Sequence, residues 1–176
     1  MNAAIERLKP LVTTRQHRHF TTEPPTDDEL SALAEVARWS GSSRNSQPWR
    51  FIVVRDVPLI RRIAEIGHPQ TRSLHTAMAA LAISLPDDET RSVGLAYDEG
   101  RVAERVLMGA SMLGLGAGIA WVRSDVRREI GDVLDVGEGR FVRTVMALGH
   151  PSDEGRAPKS PPSEARLPLE ELVSWR

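Results

Sequence analysis

The stretch that most constrains this 176-residue chain is "YDEGRVAERVLMGASMLG", residues 97–114. Its spacing predicts a helix over residues 98–113. The first half carries Glu99, Arg101, Glu104 and Arg105, whereas the second half, "VLMGASMLG", is apolar on nearly every side. A helix that is apolar all round is expected to be buried all round. The fold therefore needs structure packed on more than one side of this element. With 40% hydrophobic residues the chain can build one core of that kind. Residues 1–176 are accordingly read as a single domain.

The flanking elements alternate in type. Residues 5–11 predict a short helix. Thr26 followed three residues later by Glu29 is a capping-box pattern, and Leu30, Leu33, Ala34 and Ala37 then share one apolar face, which predicts a helix over residues 27–39. "WRFIVV" reads as a strand, and "PLIRRIAEIG" as a helix with Pro58 in its first turn and Gly67 near its end. The nearly continuous apolar run at residues 79–85, ended by Pro86, fits a buried strand. "GAGIAWV" predicts a strand, "SDVRREIGDVL" a helix capped by Ser124, and "RFVRTVMALGH" a strand near the middle of a sheet. The Pro-rich end, residues 151–176, reads as an extended arm with a short helix. This order implies an α+β domain around one sheet.

Several functions are disfavoured. A net charge of −1 provides no global field that would draw the protein to nucleic acid or an anionic membrane. The absence of cysteine removes disulfides, thiolate chemistry and Cys-ligated metal. The N-terminus is charged where a signal peptide needs an apolar centre, and no stretch approaches the ~18 apolar residues of a membrane span, so the expected address is the cytoplasm. The histidines (His17, His19, His68, His75, His150) lack metal-helix spacing, and no serine sits in a nucleophile-elbow context.

Three stretches carry chemistry. "LGLGAG", residues 113–118, looks like a dinucleotide fingerprint but follows a helix and opens a strand, the reverse of the required order. Its glycines instead permit close backbone approach, either to another element or to a flat ligand. In "TTRQHRHF", Arg15 and Arg18 can both reach a phosphate, for which the guanidinium fork is suited. Two nearby arginines are also common on a solvated face. "SGSSRNSQPW" is a polar connection running from helix to strand.

Taken in order, these stretches resemble the FMN-dependent nitroreductase family. The resemblance rests on "TTRQHRHFTTEPP", "SSRNSQPW", "LGLGAGIAWV", "ALGHP" and "SEARLPLEELV", and spans nearly the whole chain. It implies a nitroreductase-like α+β fold: a central mixed, mainly antiparallel sheet flanked by helices, in an intertwined homodimer with two FMN sites at the interface. The outer face of the long helix would pack against its twin, and the arm of residues 151–176 would reach across the partner.

Carried over residue by residue, the resemblance places Arg15 at the FMN phosphate and Arg18 at the pyrimidine edge of the ring. Gln16 stands where the family usually has Ser. Ser42, Ser43, Arg44, Asn45 and Gln47 would contact the flavin held mainly by the other chain. Trp121 and Val122 match positions whose backbone N–H groups approach flavin N5 and O4. Arg166 would reach the phosphate from the arm. Glu164 departs from a common Lys, for which Lys159 is a candidate substitute. The short segment between the second strand and the long helix holds no inserted lid helix.

The implied activity is electron transfer from NAD(P)H through FMN to an electron-poor small molecule such as a nitro compound or quinone, by a ping-pong scheme. No protein acid, base or metal is assigned. The alternatives are a non-catalytic FMN-binding or storage protein, and a relative using another flavin reaction.

Overall fold

The computed structural model describes residues 3–156 and 166–176 of the chain. Two short helices, α1 (Ala3–Arg7) and α2 (Lys9–Thr13), stand where one was expected. Pro10 lies in the first turn of α2, where its missing N–H costs nothing, whereas inside one continuous helix it would remove a backbone hydrogen bond. The helix α3 (Asp27–Arg38) starts as predicted. Thr26 Oγ1 accepts from the Glu29 N–H at 3.2 Å, and Glu29 Oε2 accepts from the Thr26 N–H at 2.7 Å.

Next come β1 (Arg50–Val54), α4 (Val57–Ile66), β2 (Ala79–Pro86), α5 (Ser92–Met112), β3 (Gly116–Trp121), α6 (Arg127–Val133) and β4 (Arg140–Gly149), followed by two single-turn helices, α7 (Asp153–Arg156) and α8 (Leu169–Leu172). The sheet order is β1-β2-β4-β3, and all three pairings are antiparallel. The strand expected near the centre, β4, lies between β2 and β3.

The nearly continuous apolar pattern of β2 follows from its position. Ala79, Leu81, Ile83 and Leu85 face one core, shared with α3 and α5, while Ala80 and Ala82 face a second, shared with α4 and α6. A strand covered on both faces has no polar side.

Two boundaries differ from expectation. The long helix begins at Ser92, six residues early, because Leu95 is buried and extends the stripe that runs through Val102 and Val106. What remains between β2 and α5 is one 3-10 turn, Glu89–Arg91. Ser124 does not cap α6. It opens the 3-10 turn Ser124–Val126, which is held by Arg123 donating to the His68 carbonyl at 2.7 Å and to Asp125 at 3.1 Å.

The second half of α5 is also not enclosed within one chain. Val106, Leu107 and Ala110 are buried, and Gly109 lies on Leu33 and Val36 of α3, but Ser111, Met112 and Leu113 are exposed. Val93 and Tyr97 extend this exposed apolar surface toward the helix start. No helix among the described residues is long and apolar enough to cross a membrane.

Candidate functional site

The predicted residues gather in two groups. The first is built on β3. The segment after α2 lies along this edge strand, with the His17 N–H donating to the Ala117 carbonyl at 2.8 Å and the Gln16 side-chain oxygen accepting from the Ile119 N–H at 3.2 Å. The glycines make that approach possible. A Cβ on Gly118 would run into the His17 carbonyl oxygen, and one on Gly116 would lie 2.9 Å from Pro151 Cγ and 3.0 Å from His17 Cβ. The segment then bridges Phe20 to Pro151. Of the two readings open to "LGLGAG", contact with another element is the one found at Gly116 and Gly118.

This packing brings Arg15, Gln16 and Arg18 together at the β3 edge. Arg15 donates to the Arg156 carbonyl, so the turn after β4 joins the same neighbourhood. The His17 ring is half-buried, and its Nδ1 has no hydrogen-bond partner among the described residues. Burial first, then the charges of Arg15 and Arg156, hold its pKa below the ordinary histidine value. The ring therefore adds little positive charge of its own beside the arginines. Arg166 is exposed at the start of the final described segment. Lys159 and Glu164 lie outside the described residues.

Trp121 and Val122 separate. In an antiparallel ladder, successive N–H groups point alternately at the partner strand and away from it. Val122 donates to the Arg143 carbonyl at 2.8 Å and its side chain is fully buried, so the expected role of its N–H toward a flavin is corrected. The same alternation turns the Trp121 N–H outward, on the side where the Ile119 N–H meets Gln16. The Trp121 residue is 49% exposed, so its ring remains accessible.

The second group is the connection from α3 to β1. Arg44 and Asn45 both have φ 52° and Gln47 has φ 43°, left-handed geometry that a non-glycine residue adopts at a cost of about 1 kcal/mol each. Helix α5 and the 3-10 turn before it hold this strained loop. The buried Asp98 accepts from the Ser43 N–H with both oxygens at 3.1 Å, Arg91 donates to Ser46 Oγ at 3.2 Å, and Arg105 donates to the Trp39 carbonyl at 3.0 Å. Ser42 Oγ accepts from the Gln47 N–H at 2.9 Å. At the far end, Trp49 is buried and stacks on Phe51 at 6.1 Å. The side chains of Ser43, Arg44, Asn45 and Gln47 are left exposed, beside a groove of about 590 Å³ bordered by Ser43, Arg44, Arg91 and Asp98.

One chain does not unite the two groups. The loop leads into β1, one edge of the sheet, while Arg15, Gln16 and Arg18 lie on β3, the other. Three strand spacings separate those edges, about 14 Å.

Asp98, Glu99, Arg127 and Arg143 were missed at the sequence level. The available signal was Glu99, four residues after Leu95 and three before Val102, a carboxylate on the buried stripe of α5. Among the described residues no group of three or more His, Asp or Glu could hold a metal ion.

The comparisons with known proteins agree with this architecture. Residues 11–86 match the model of the Nitroreductase family. A relative from Archaeoglobus fulgidus, whose name offers both NADH dehydrogenase and NAD(P)H nitroreductase, is 27% identical over 158 residues, covering 85% of this chain and 87% of its own. An oxygen-insensitive NADPH nitroreductase of Helicobacter acinonychis is 32% identical over 120 residues, 62% of this chain and 56% of its own. Among solved structures, an FMN-dependent nitroreductase from Clostridium difficile superposes with a TM-score of 0.82 at 21% identity, covering 96% of this chain and 98% of that one. At that identity the likeness bears on the fold. The match over residues 11–86, the relatives along most of the length and the shared fold make the chain similar to proteins of the nitroreductase family.

Proposed function

We propose that the protein is an FMN-dependent oxidoreductase, drawing electrons from NAD(P)H and passing them to an electron-poor small molecule such as a nitro compound or quinone, as a homodimer with two flavin sites at its interface. The observation that carries this reading is the division of the site residues between the two sheet edges. A cradle for one ring is complete only when the β3 edge of one chain meets the loop of residues 42–47 of another. The exposed apolar surface of α5 (Val93, Tyr97, Met112) and of the tail (Leu167, Leu169, Leu172, Trp175) supplies area for such a contact.

The residues present fit the cofactor. Arg15 and Arg18 offer guanidinium donors for a phosphate and for the electron-rich edge of a flavin, with Arg166 as the tail's contribution. The outward Trp121 N–H is an edge donor of the kind that ring N5 or O4 accepts. The exposed amides of Asn45 and Gln47 both donate and accept, as a ring with alternating donors and acceptors requires. FMN, when bound, supplies the two-electron chemistry, accepting hydride from the nicotinamide and releasing electrons to the second substrate. The protein's share is binding, stacking geometry and electrostatics. The nitroreductase and NADPH:FMN oxidoreductase names among the relatives and fold neighbours support this reading.

The test uses the purified full chain. It is expected to be yellow, to release FMN by mass, to run as a dimer and to bleach when NADH or NADPH is added under nitrogen. A dimer that holds FMN yet is not reduced by either nucleotide would favour flavin storage. A colourless monomer that does not take up FMN would refute the proposal.

A further inference from the structure

Beneath Trp121 lies a charged cluster that neither the fold nor cofactor binding requires. Glu99 of α5 accepts from Arg143 Nε of β4 at 2.6 Å, with both side chains buried. The sheet register slips at this point: Ile83 pairs with Thr144 but Ser84 pairs with Val142, which leaves Arg143 as the extra residue of a β-bulge. A bulge re-aims a side chain, and here it accompanies Arg143 reaching the α5 face. Arg127, from the start of α6, joins from the side, donating to the Val122 carbonyl at 3.2 Å. The guanidinium of Arg143 lies 5.8 Å from the Trp121 ring centroid and 5.7 Å from that of Phe141, and that of Arg127 lies 5.7 Å and 5.5 Å from the same two rings.

Stability is a poor explanation for the pair. A buried ion pair is often no better than apolar residues of the same volume, and this one leaves Glu99 Oε1 and Arg143 Nη2 without hydrogen-bond partners among the described residues. The charges do not balance either. The exposed carboxylate of Asp87 faces Arg127 from the solvent side, but among the groups that water screens weakly two guanidiniums meet one carboxylate, a formal excess of +1. Burial lowers the pKa of Arg127, with the neighbouring Arg143 adding to the effect, as crowding of like charge should.

We infer that the Glu99–Arg143–Arg127 cluster tunes the electron affinity of the flavin carried beside Trp121, its excess positive charge favouring the reduced, electron-rich form. This rests on the proposed flavin site. The two guanidiniums lie against the aromatic pair and Glu99 holds one of them; the cluster acts on the cofactor through its field and through the seat of Trp121.

The measurement is the two-electron midpoint potential of bound FMN in the dimeric holoprotein, by equilibration with a reference dye, alongside FMN affinity and thermal stability. Glu99→Gln removes the negative charge and is expected to raise the potential. Arg127→Met leaves the Glu99–Arg143 pair intact, removes the excess charge and is expected to lower it. Each shift should correspond to about a tenfold change in the ratio of reduced to oxidised flavin affinity, about 30 mV for a two-electron couple. The double variant Glu99→Gln with Arg143→Met restores the formal +1 and should return the potential to near the parent value, and it carries the test if Glu99→Gln alone folds poorly. Loosened packing has no reason to produce this up, down and restored pattern. Flavin bound with potentials that stay fixed, or that move in one direction in all three variants, overturns the inference while leaving the flavin site standing. A parent protein that binds no flavin overturns both.

Discussion

Replacing Gly118 by alanine tests the contact that assembles the β3 side of the site. The new Cβ would meet the His17 carbonyl oxygen, with Ser73 Cβ at 3.4 Å. The obstructing atom is backbone, so no rotamer change relieves the clash, and the segment carrying Arg15 to Arg18 must lift from the strand. Lifting it breaks the His17 N–H bond to Ala117 at 2.8 Å and the Ile119 N–H bond to Gln16 at 3.2 Å. Two hydrogen bonds at about 1 kcal/mol each, with about 1–2 kcal/mol of residual overpacking, come to roughly 3 kcal/mol. The entropic gain of alanine over glycine returns about 0.5–1 kcal/mol. The net loss is about 2–3 kcal/mol, which for a domain of this size lowers Tm by roughly 4–12 °C. Thermal unfolding in the presence and absence of FMN measures it, and native-state hydrogen exchange at His17 and Ile119 locates it. FMN should also be held more weakly, because Arg15 and Arg18 move with the segment. A Gly118→Ala protein with parental Tm and unchanged protection at those two amides would refute the reasoning.

Asp98→Ala strands the Ser43 N–H and frees a loop held in left-handed geometry, so proteolysis between residues 42 and 47 should accelerate and stability fall by about 1–3 kcal/mol. Denaturant titration and limited digestion read the two effects, and parental values in both would show that the loop holds itself. Histidine 17 sets a pH dependence. Its folded pKa lies below the ordinary histidine value of about 6.5, so its contribution is fully present above that pH. It is lost as pH falls from there through the folded value, since the unfolded chain takes up the proton first. His17→Gln should flatten the slope of stability against pH below about 6.5; an unchanged slope would show that other groups set it.

Much of the architecture was legible locally. The Thr26–Glu29 box places a helix start because both hydrogen bonds form within one turn. The nearly continuous apolar run of β2, broken only by Ser84, announces a strand covered on both faces, since one solvated face would leave alternate polar residues. The polar connection before Trp49 could be picked out by its composition, and Arg15, Gln16 and Arg18 by their resemblance to a family motif. These features are local, and neighbours along the chain suffice to define them.

What required the assembled chain were relations between distant segments. "LGLGAG" permitted close approach, but that the approaching backbone is residues 16–18 depends on β3 being an edge strand. Trp121 and Val122 are adjacent and were read alike, yet ladder alternation turns one N–H outward and ties the other to Arg143. The start of α5 at Ser92 follows from the burial of Leu95, which depends on the helix meeting the sheet. The bulge at Arg143 is set by register between strands almost sixty residues apart in sequence, and it alone reveals that a carboxylate on an apolar stripe has a partner. Hydrophobic period is a property of consecutive residues, whereas register, edge position and charge pairing are properties of segments that meet only after folding.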